Sequence, residues 1–437
     1  METKGHLGET PDDGPWTSGR SGPRPQRPPS ADLAATLLDL VRSQSLTTTN
    51  DLCEATGMGR TVVAQRIGHL VRLGLLAHRG KGRSTGGRAP RELRFRSEAG
   101  TVLGVEVGVT SLAVALTDLS GEPLETRERP WRSTNGPDAT FDELEKLMDQ
   151  VLAAVPGRAP LLGVGVGLPC PVEFSSGRPV APPILSGWDD YPVRERLTSR
   201  FGVGVWVDNE VNAMALGELR TGLAQGRDDF VYVKVGTGIG AGLVSAGRLH
   251  RGAQGCAGDI AHLCIDPHST RACRCGKVGC LQTYASGMAL ARDAARLADS
   301  GASAELARRA ADGRRLTAAD VSQAAAVGDA ASLELLASAG HHLGHALASL
   351  VNVFNPSLVV IGGGVSLAGD LLLPSLRKVV YERSLPLATR DLAVVLSAHA
   401  DRAGMIGAAL TAVDGLLSPD QLKTWTHLLE PLPDDAR

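Results

Sequence analysis

No run of eighteen apolar residues occurs in the 437-residue chain, so no membrane-spanning helix is expected. The start lacks the short apolar core of a secretory signal. Residues 1–30 are instead rich in Gly, Pro, Ser and Arg, too poor in apolar surface to repay ordering, and are read as a disordered tail. Charge imbalance is lacking too. With 45 Lys and Arg against 47 Asp and Glu, the net charge of −2 indicates no partner by itself. Cysteine is scarce: the seven residues suit a reducing compartment and metal-bound thiolates rather than a disulfide framework. No short-period repeat is found. These absences predict a cytoplasmic protein with no membrane contact.

The chain does contain a cluster of soft metal ligands. His262 is followed by Cys273, Cys275 and Cys280 in the run H-L-C-I-D-P-H-S-T-R-A-C-R-C-G-K-V-G-C. One imidazole and three thiolates complete a tetrahedral Zn2+ site with no position left open for water, which makes the expected metal structural. Gly276 and Gly279 permit the tight turn that returns Cys280 to the other thiols. The plainer alternative is a loop of free cysteines, but CxC-x4-C with an upstream His has little other use inside a cell. Cys264 is close enough to compete as a ligand, with poorer spacing. His341, His342 and His345 lack an accompanying acid or thiol and are assigned to packing or solvent, and Cys53 and Cys170 to small buried positions.

The length allows two or three domains. Residues 31–75 carry three helical patterns: an apolar face from Leu33 to Val41, a short helix over Asn50–Ala55 capped by Thr48 or Thr49, and a third from about Arg60 to Leu73 with Val62, Val63, Ile67, Leu70 and Val71 at helical spacing. Between Arg72 and Arg96 eight basic residues face a single acid, Glu92. Helix, Gly-containing turn, helix and basic hairpin form the pattern of a winged helix-turn-helix over residues 31–97. Arg60, Thr61, Gln65 and Arg66 are placed to read base edges, and Lys81, Arg83 and Arg88 to meet phosphates from the wing. The alternative is a dimerisation module followed by a solvated basic linker.

From Thr101 onward, apolar strands at 102–109, 111–116, 161–168, 203–207, 230–235 and 358–361 alternate with Ala-rich helices, including 287–311 and 331–351, which implies an α/β architecture. The segment Gly255-Cys256-Ala257-Gly258-Asp259-Ile260-Ala261-His262 with its cysteine knuckle resembles the zinc-containing motif of the ROK family of repressors and sugar kinases. Gly86-Gly87-Arg88-Ala89-Pro90 is similar to the wing of that family's repressors. The resemblance covers roughly residues 33–417. It implies an actin-like, two-lobed fold with a small lobe at 98–207, a large lobe at 208–417 whose last helix could return to the small lobe, and a C-terminal tail at 418–437.

It also implies phosphate loops at Gly108 and Thr110, at Gly236, Thr237 and Gly238, and at Gly363 and Gly364. The kinase chemistry is altered, however. Glu106 and Val109 stand in the first loop where the kinases carry Asp-x-Gly-Gly-Thr, Glu210 takes the place of the catalytic Asp, and Asp259 and Gln282 replace two sugar-binding Glu residues. Pro169-Cys170-Pro171 replaces a Pro-Gly-Pro loop. A displacement near 1 Å can cost roughly a hundredfold in rate. The expectation is therefore a DNA-binding regulator, a homodimer or homotetramer, with a sugar or sugar derivative held by Asn209, Glu210, Asp259, His262 and Gln282. The competing reading is an ATP-dependent sugar kinase with a DNA-binding appendage, and a third is a repressor that has lost its ligand.

Overall fold

The computed structural model describes residues 30–43, 46–81, 91–398, 402–425 and 429. The expected tail before Ser30, the wing tip bearing Arg83 and Arg88, and the chain after Leu429 lie outside the described residues.

The first unit has three helices, α1 (Ser30–Ser43), α2 (Thr49–Thr56) and α3 (Arg60–Arg72), and an antiparallel hairpin of β1 (Leu76–Lys81) and β2 (Arg91–Phe95). Thr48 and Asp51 exchange side-chain and backbone hydrogen bonds in a capping box, which starts α2 where the sequence expects it. Gly57, at φ +64°, ends α2 and turns the chain into α3. Val63, Ile67, Leu70 and Val71 of α3 are buried, whereas Val62 is 42% exposed. One residue from Val63 is about 100° around a helix, so Val62 leaves the expected apolar face and joins the solvent side.

The next unit contains β3 (Thr101–Val107), β4 (Ser111–Asp118), β5 (Pro123–Pro130), α4 (Pro137–Ala154), β6 (Leu161–Leu168), the hairpin β7 (Val172–Glu173) and β8 (Arg178–Pro179), α5 (Val193–Phe201), β9 (Gly204–Asn209) and α6 (Glu210–Thr221). Then follow β10 (Phe230–Val235), β11 (Ile239–Ser245), β12 (Arg248–His250), α7 (Gln282–Ala285), α8 (Gly287–Asp299), α9 (Ala304–Arg309), α10 (Ala318–Ala326), α11 (Ala330–Phe354), β13 (Leu358–Gly362), α12 (Leu373–Arg383), α13 (Pro386–Thr389), β14 (Ala393–Leu396), α14 (Ala403–Leu416) and α15 (Leu422–Trp425).

The two five-stranded sheets repeat one topology. Their orders, β5-β4-β3-β6-β9 and β12-β11-β10-β13-β14, both read 3-2-1-4-5 by order of appearance, with the first two connections antiparallel and the rest parallel. This duplicated, two-lobed α/β arrangement is the actin-like fold that the resemblance implies.

Helices α6 and α14 fill the space between the sheets, in a core shared with β4, β10 and β13. Their contact is backbone on backbone: a Cβ on Gly407 would lie 1.7 Å from the Ala213 carbonyl oxygen. The last long helix, α14, lies against the first sheet, where a Cβ on Gly165 would be 1.7 Å from the Ala408 carbonyl. The N-terminal unit is not separate from this body. Leu33, Leu37, Val63 and Leu70 share one core with Val102 and Leu162 of the first sheet and with Ala412, Val413 and Leu416 of α14.

Two expectations need correction. The helix expected over 287–311 is two helices, because Gly301, at φ +73°, reverses the chain and Ser303 caps α9 by accepting from the Leu306 amide. The tail expected from residue 418 includes α15, whose Leu422 and Trp425 are buried in the core with the N-terminal helices; the Trp425 indole donates to the Leu416 carbonyl at 2.8 Å. Two apolar residues three apart on one helical turn cover the end of α14. Among the described residues, no helix is long and apolar enough to cross a membrane.

Candidate effector cleft and metal centre

The knuckle folds as the glycines suggest. Gly276 and Gly279 have φ of +86° and +70°, and a Cβ on Gly279 would meet the Asp266 carbonyl at 2.0 Å. The Cys273 amide donates to Lys277, and Gly276 donates back to Cys273, closing the turn. The ligand atoms of His262, Cys273, Cys275 and Cys280 all lie within 4.8 Å of one another. Cys275 Sγ is 3.7 Å from Cys280 Sγ, and Cys273 Sγ is 3.6 Å from His262 Nδ1. A tetrahedron built on Zn–S bonds of about 2.3 Å has edges of about 3.8 Å, so these four residues fit the ion. Gln282 donates to Cys273 Sγ at 3.0 Å. Burial pushes the Cys273 thiol up, but hydrogen bonds from the Cys275 backbone and Gln282 outweigh it and hold the group at about 7. Cys264 is exposed and outside the quartet; its backbone pairs with that of Cys280.

Beside this centre is a cleft, open to solvent, lined by residues of both halves, Val109 and Asn209 from one and Lys234 and Gly238 from the other. The structure brings all five expected pocket residues to it: Asn209, Glu210, Asp259, His262 and Gln282. His262 turns Nδ1 to the thiols, which leaves its ring edge to the cleft. Asn209 is partly committed to the scaffold. It caps α6 by accepting from the Val211 amide at 2.8 Å and donates to the Cys170 carbonyl at 2.9 Å. Sequence reasoning missed Asp208. Its buried carboxylate accepts from the Asn209 amide, from Asn212 Nδ2 and from Arg251 Nε, while the Arg251 guanidinium lies 3.9 Å over the Phe174 ring. That set ties the loop after β12 to the other lobe.

The glycine loops separate. Gly238 and Val109 line the cleft; Gly108, Thr110, Gly236, Thr237, Gly363 and Gly364 do not. Gly363, at φ +87°, is explained by packing, since a Cβ there would be 2.7 Å from the Val235 carbonyl. The floor of the cleft holds a group that the sequence reading did not single out. Lys234 Nζ is 2.6 Å from Glu210 Oε2, and the two side chains are 16% and 9% exposed. Burial pulls the Lys234 amine down, yet Glu210 and Glu106 together hold it above the ordinary lysine value. Desolvation pushes Glu106 up to about 7, with Glu210 and Glu128 adding to the shift and Lys234 opposing it.

In the N-terminal unit, Arg60, Thr61 and Gln65 are exposed on α3, and Arg66 is half-buried beside them. Lys81 ends β1. The unit is fastened by charge as well as by its core. Arg42 of α1 pairs with Asp414 of α14 and lies 3.6 Å from Asp39. Arg220 of α6 reaches Asp39 at 3.9 Å and Asp414 at 3.8 Å. Helix α6 thus begins with a cleft residue, Glu210, and ends at the junction with the N-terminal unit. Elsewhere, Trp188 is buried against Phe141 in the small lobe, and His341 and His345 meet on α11 with Nε2 atoms 3.0 Å apart.

Residues 102–414 match the ROK family. A xylose repressor of Caldicellulosiruptor bescii is 29% identical over 87% of this chain and 95% of its own length. The crystal structure of a ROK family transcriptional regulator, a homologue of the E. coli MLC protein, superimposes with a TM-score of 0.76 at 26% identity over 91% of this chain and 98% of that one. A ROK family glucokinase from Streptomyces griseus, solved with glucose and AMPPNP, gives 0.63 at 30% identity over 72% of this chain and 99% of its own.

Proposed function

The chain belongs to the ROK family, and we propose that within it this protein is a sugar-responsive transcriptional repressor whose cleft binds a sugar without phosphorylating it. One observation carries the reading: likeness to the regulator runs through 91% of the chain, whereas likeness to the glucokinase stops at 72%. The difference is of the size of the N-terminal helices and hairpin, which the kinase lacks.

In this reading α3 enters the major groove with Arg60, Thr61, Gln65 and Arg66 toward base edges, and Lys81, Arg83 and Arg88 accompany the wing along phosphates. Two copies related by a two-fold axis engage two half-sites. Zn2+ held by His262, Cys273, Cys275 and Cys280 fixes the wall of the cleft, and its chemistry is structural. Asp259, His262 and Gln282 offer hydrogen bonds from one wall, and Asn209 and Glu210 from the other. Phosphoryl transfer needs an acceptor for the sugar's hydroxyl proton and an open bed for phosphate. Here the Glu210 carboxylate is already ion-paired with Lys234, and Val109 lines the cleft at the loop where phosphate would approach.

The signal has a continuous path. Sugar bound at Glu210 acts on the first turn of α6, and α6 meets the N-terminal unit through Arg220, Asp39, Asp414 and Arg42. Coupling requires that sugar bind two arrangements of this path with different affinity.

Selection of genomic DNA by the purified full-length protein tests the reading. It should recover one sequence with two-fold symmetric half-sites, and its release or retention should respond to a neutral sugar, D-xylose being the first choice because a relative is a xylose repressor. ATP consumption at ordinary kinase rates with any pentose or hexose would overturn it.

A further inference from the structure

The duplicated topology gives each sheet a corresponding first hairpin, β3–β4 and β10–β11. Glu106 is the penultimate residue of β3, and Lys234 is the penultimate residue of β10. Two structurally equivalent positions therefore carry an acid and a base: Lys234 lines the cleft, and the Glu106 carboxylate packs against Gly404 at the start of α14. Lys234 is a cation inside the strand Phe230-Val231-Tyr232-Val233-Lys234-Val235, whose other residues are fully buried. A lysine there is costly to bury unless paired. Its partner is Glu210 at 2.6 Å, and Glu106 is close enough that each influences the other's charge.

A phosphoryl-transfer site fills such a floor differently. Carboxylates there hold a hydrated divalent ion that in turn holds the phosphates. We propose that Lys234 is a built-in cation at this floor, taking the place of a nucleotide-borne metal ion, so that the cleft binds its sugar with neither nucleotide nor divalent metal. The ammonium neutralises the Glu210 carboxylate, and the closed pair leaves that carboxylate no charge for Mg2+ to satisfy. Lys234 is then a specificity-determining residue: it separates a pocket for sugar alone from one for sugar plus nucleotide. This rests on reading the cleft as a sugar pocket.

Manganese is the probe, measured by electron paramagnetic resonance on the full-length, zinc-loaded protein. Wild type should bind no Mn2+ at this site. Lys234→Met should gain one site at least tenfold tighter than any in wild type, and Lys234→Met with Glu210→Gln should lose that gain. Equal Mn2+ binding by wild type and a folded, zinc-containing Lys234→Met would overturn the proposal. If that variant does not fold, wild type decides alone. Calorimetry with Mg2+ and AMPPNP should give no binding, and a nucleotide-dependent tightening of D-xylose or D-glucose binding by tenfold or more contradicts a built-in cation. These readouts involve no DNA, so they can fail while sugar-controlled DNA binding stands, and the reverse.

Discussion

The two halves of the ROK body repeat one sheet, yet they have been given different work. The second half carries the Cys3His knuckle and a hairpin with Gly238 at the cleft. The first half carries a hairpin with Val109 at the cleft and, on its other side, the N-terminal helices packed into a common core. A duplicated scaffold therefore does not preserve a duplicated function. In the proposed function one half holds a pocket in shape, and the other turns occupancy of that pocket into a position of α3, with α6 and α14 between them.

Breaking the second half should cost most. Cys280→Ser removes a buried thiolate from the quartet. It should abolish stoichiometric Zn2+ and lower stability by several kcal/mol, because ligand binding to a structural zinc is folding energy. Metal analysis with thermal unfolding checks this; unchanged metal content and melting would remove the clamp from the account.

Separating the halves comes next. In Gly407→Val the new side chain meets the Ala213 carbonyl, which cannot move without displacing α6. A loss of about 3 kcal/mol is expected in denaturant unfolding, and sugar should no longer affect DNA.

The first hairpin is sensed by pH. Glu106 is an acid raised in the folded state to about 7, against about 4.5 unfolded. Its stabilising contribution is complete below about pH 4.5 and disappears as pH rises through 7, because the folded chain holds a proton that the unfolded chain releases. Glu106→Gln should flatten that slope and be more stable than wild type at pH 8 by about 2 kcal/mol, read from unfolding midpoints at pH 5 and pH 8. Parallel pH profiles of the two proteins would contradict it.

Smaller still is the junction. Arg42→Met leaves Asp414, which is partly exposed, without its closest partner. A destabilisation of about 1 kcal/mol is expected. The diagnostic change is functional: calorimetric sugar affinity stays within twofold while the effect of sugar on DNA affinity is lost. Least disruptive is Gln65→Ala at an exposed position of α3, which should keep stability and zinc but cost about 1 kcal/mol of discrimination at one base position in a binding selection.

The metal quartet was legible because its ligands lie close in sequence and their spacing is dictated by a tetrahedron. The order of helices and hairpin was legible for a similar reason: capping at Thr48 and the turn at Gly57 are local. Lys234 was overlooked although a signal existed, a lone charge in an otherwise apolar strand that demands a buried partner. Arg42 and Asp414 could not have been paired, since 372 residues separate them and only the packing of α14 on the N-terminal unit brings them together. Asp208 and Arg251 likewise meet only once the lobes are assembled. The burial of Trp425 depended on a core that the sequence does not reveal until α14 is placed.

The most direct test is a fluorescence anisotropy titration of the selected DNA site with wild-type protein, zinc-loaded and free of nucleotide, with and without saturating sugar. The account predicts at least a tenfold change in Kd from sugar alone. The same affinity in both conditions, or a change that appears only when ATP is added, contradicts it.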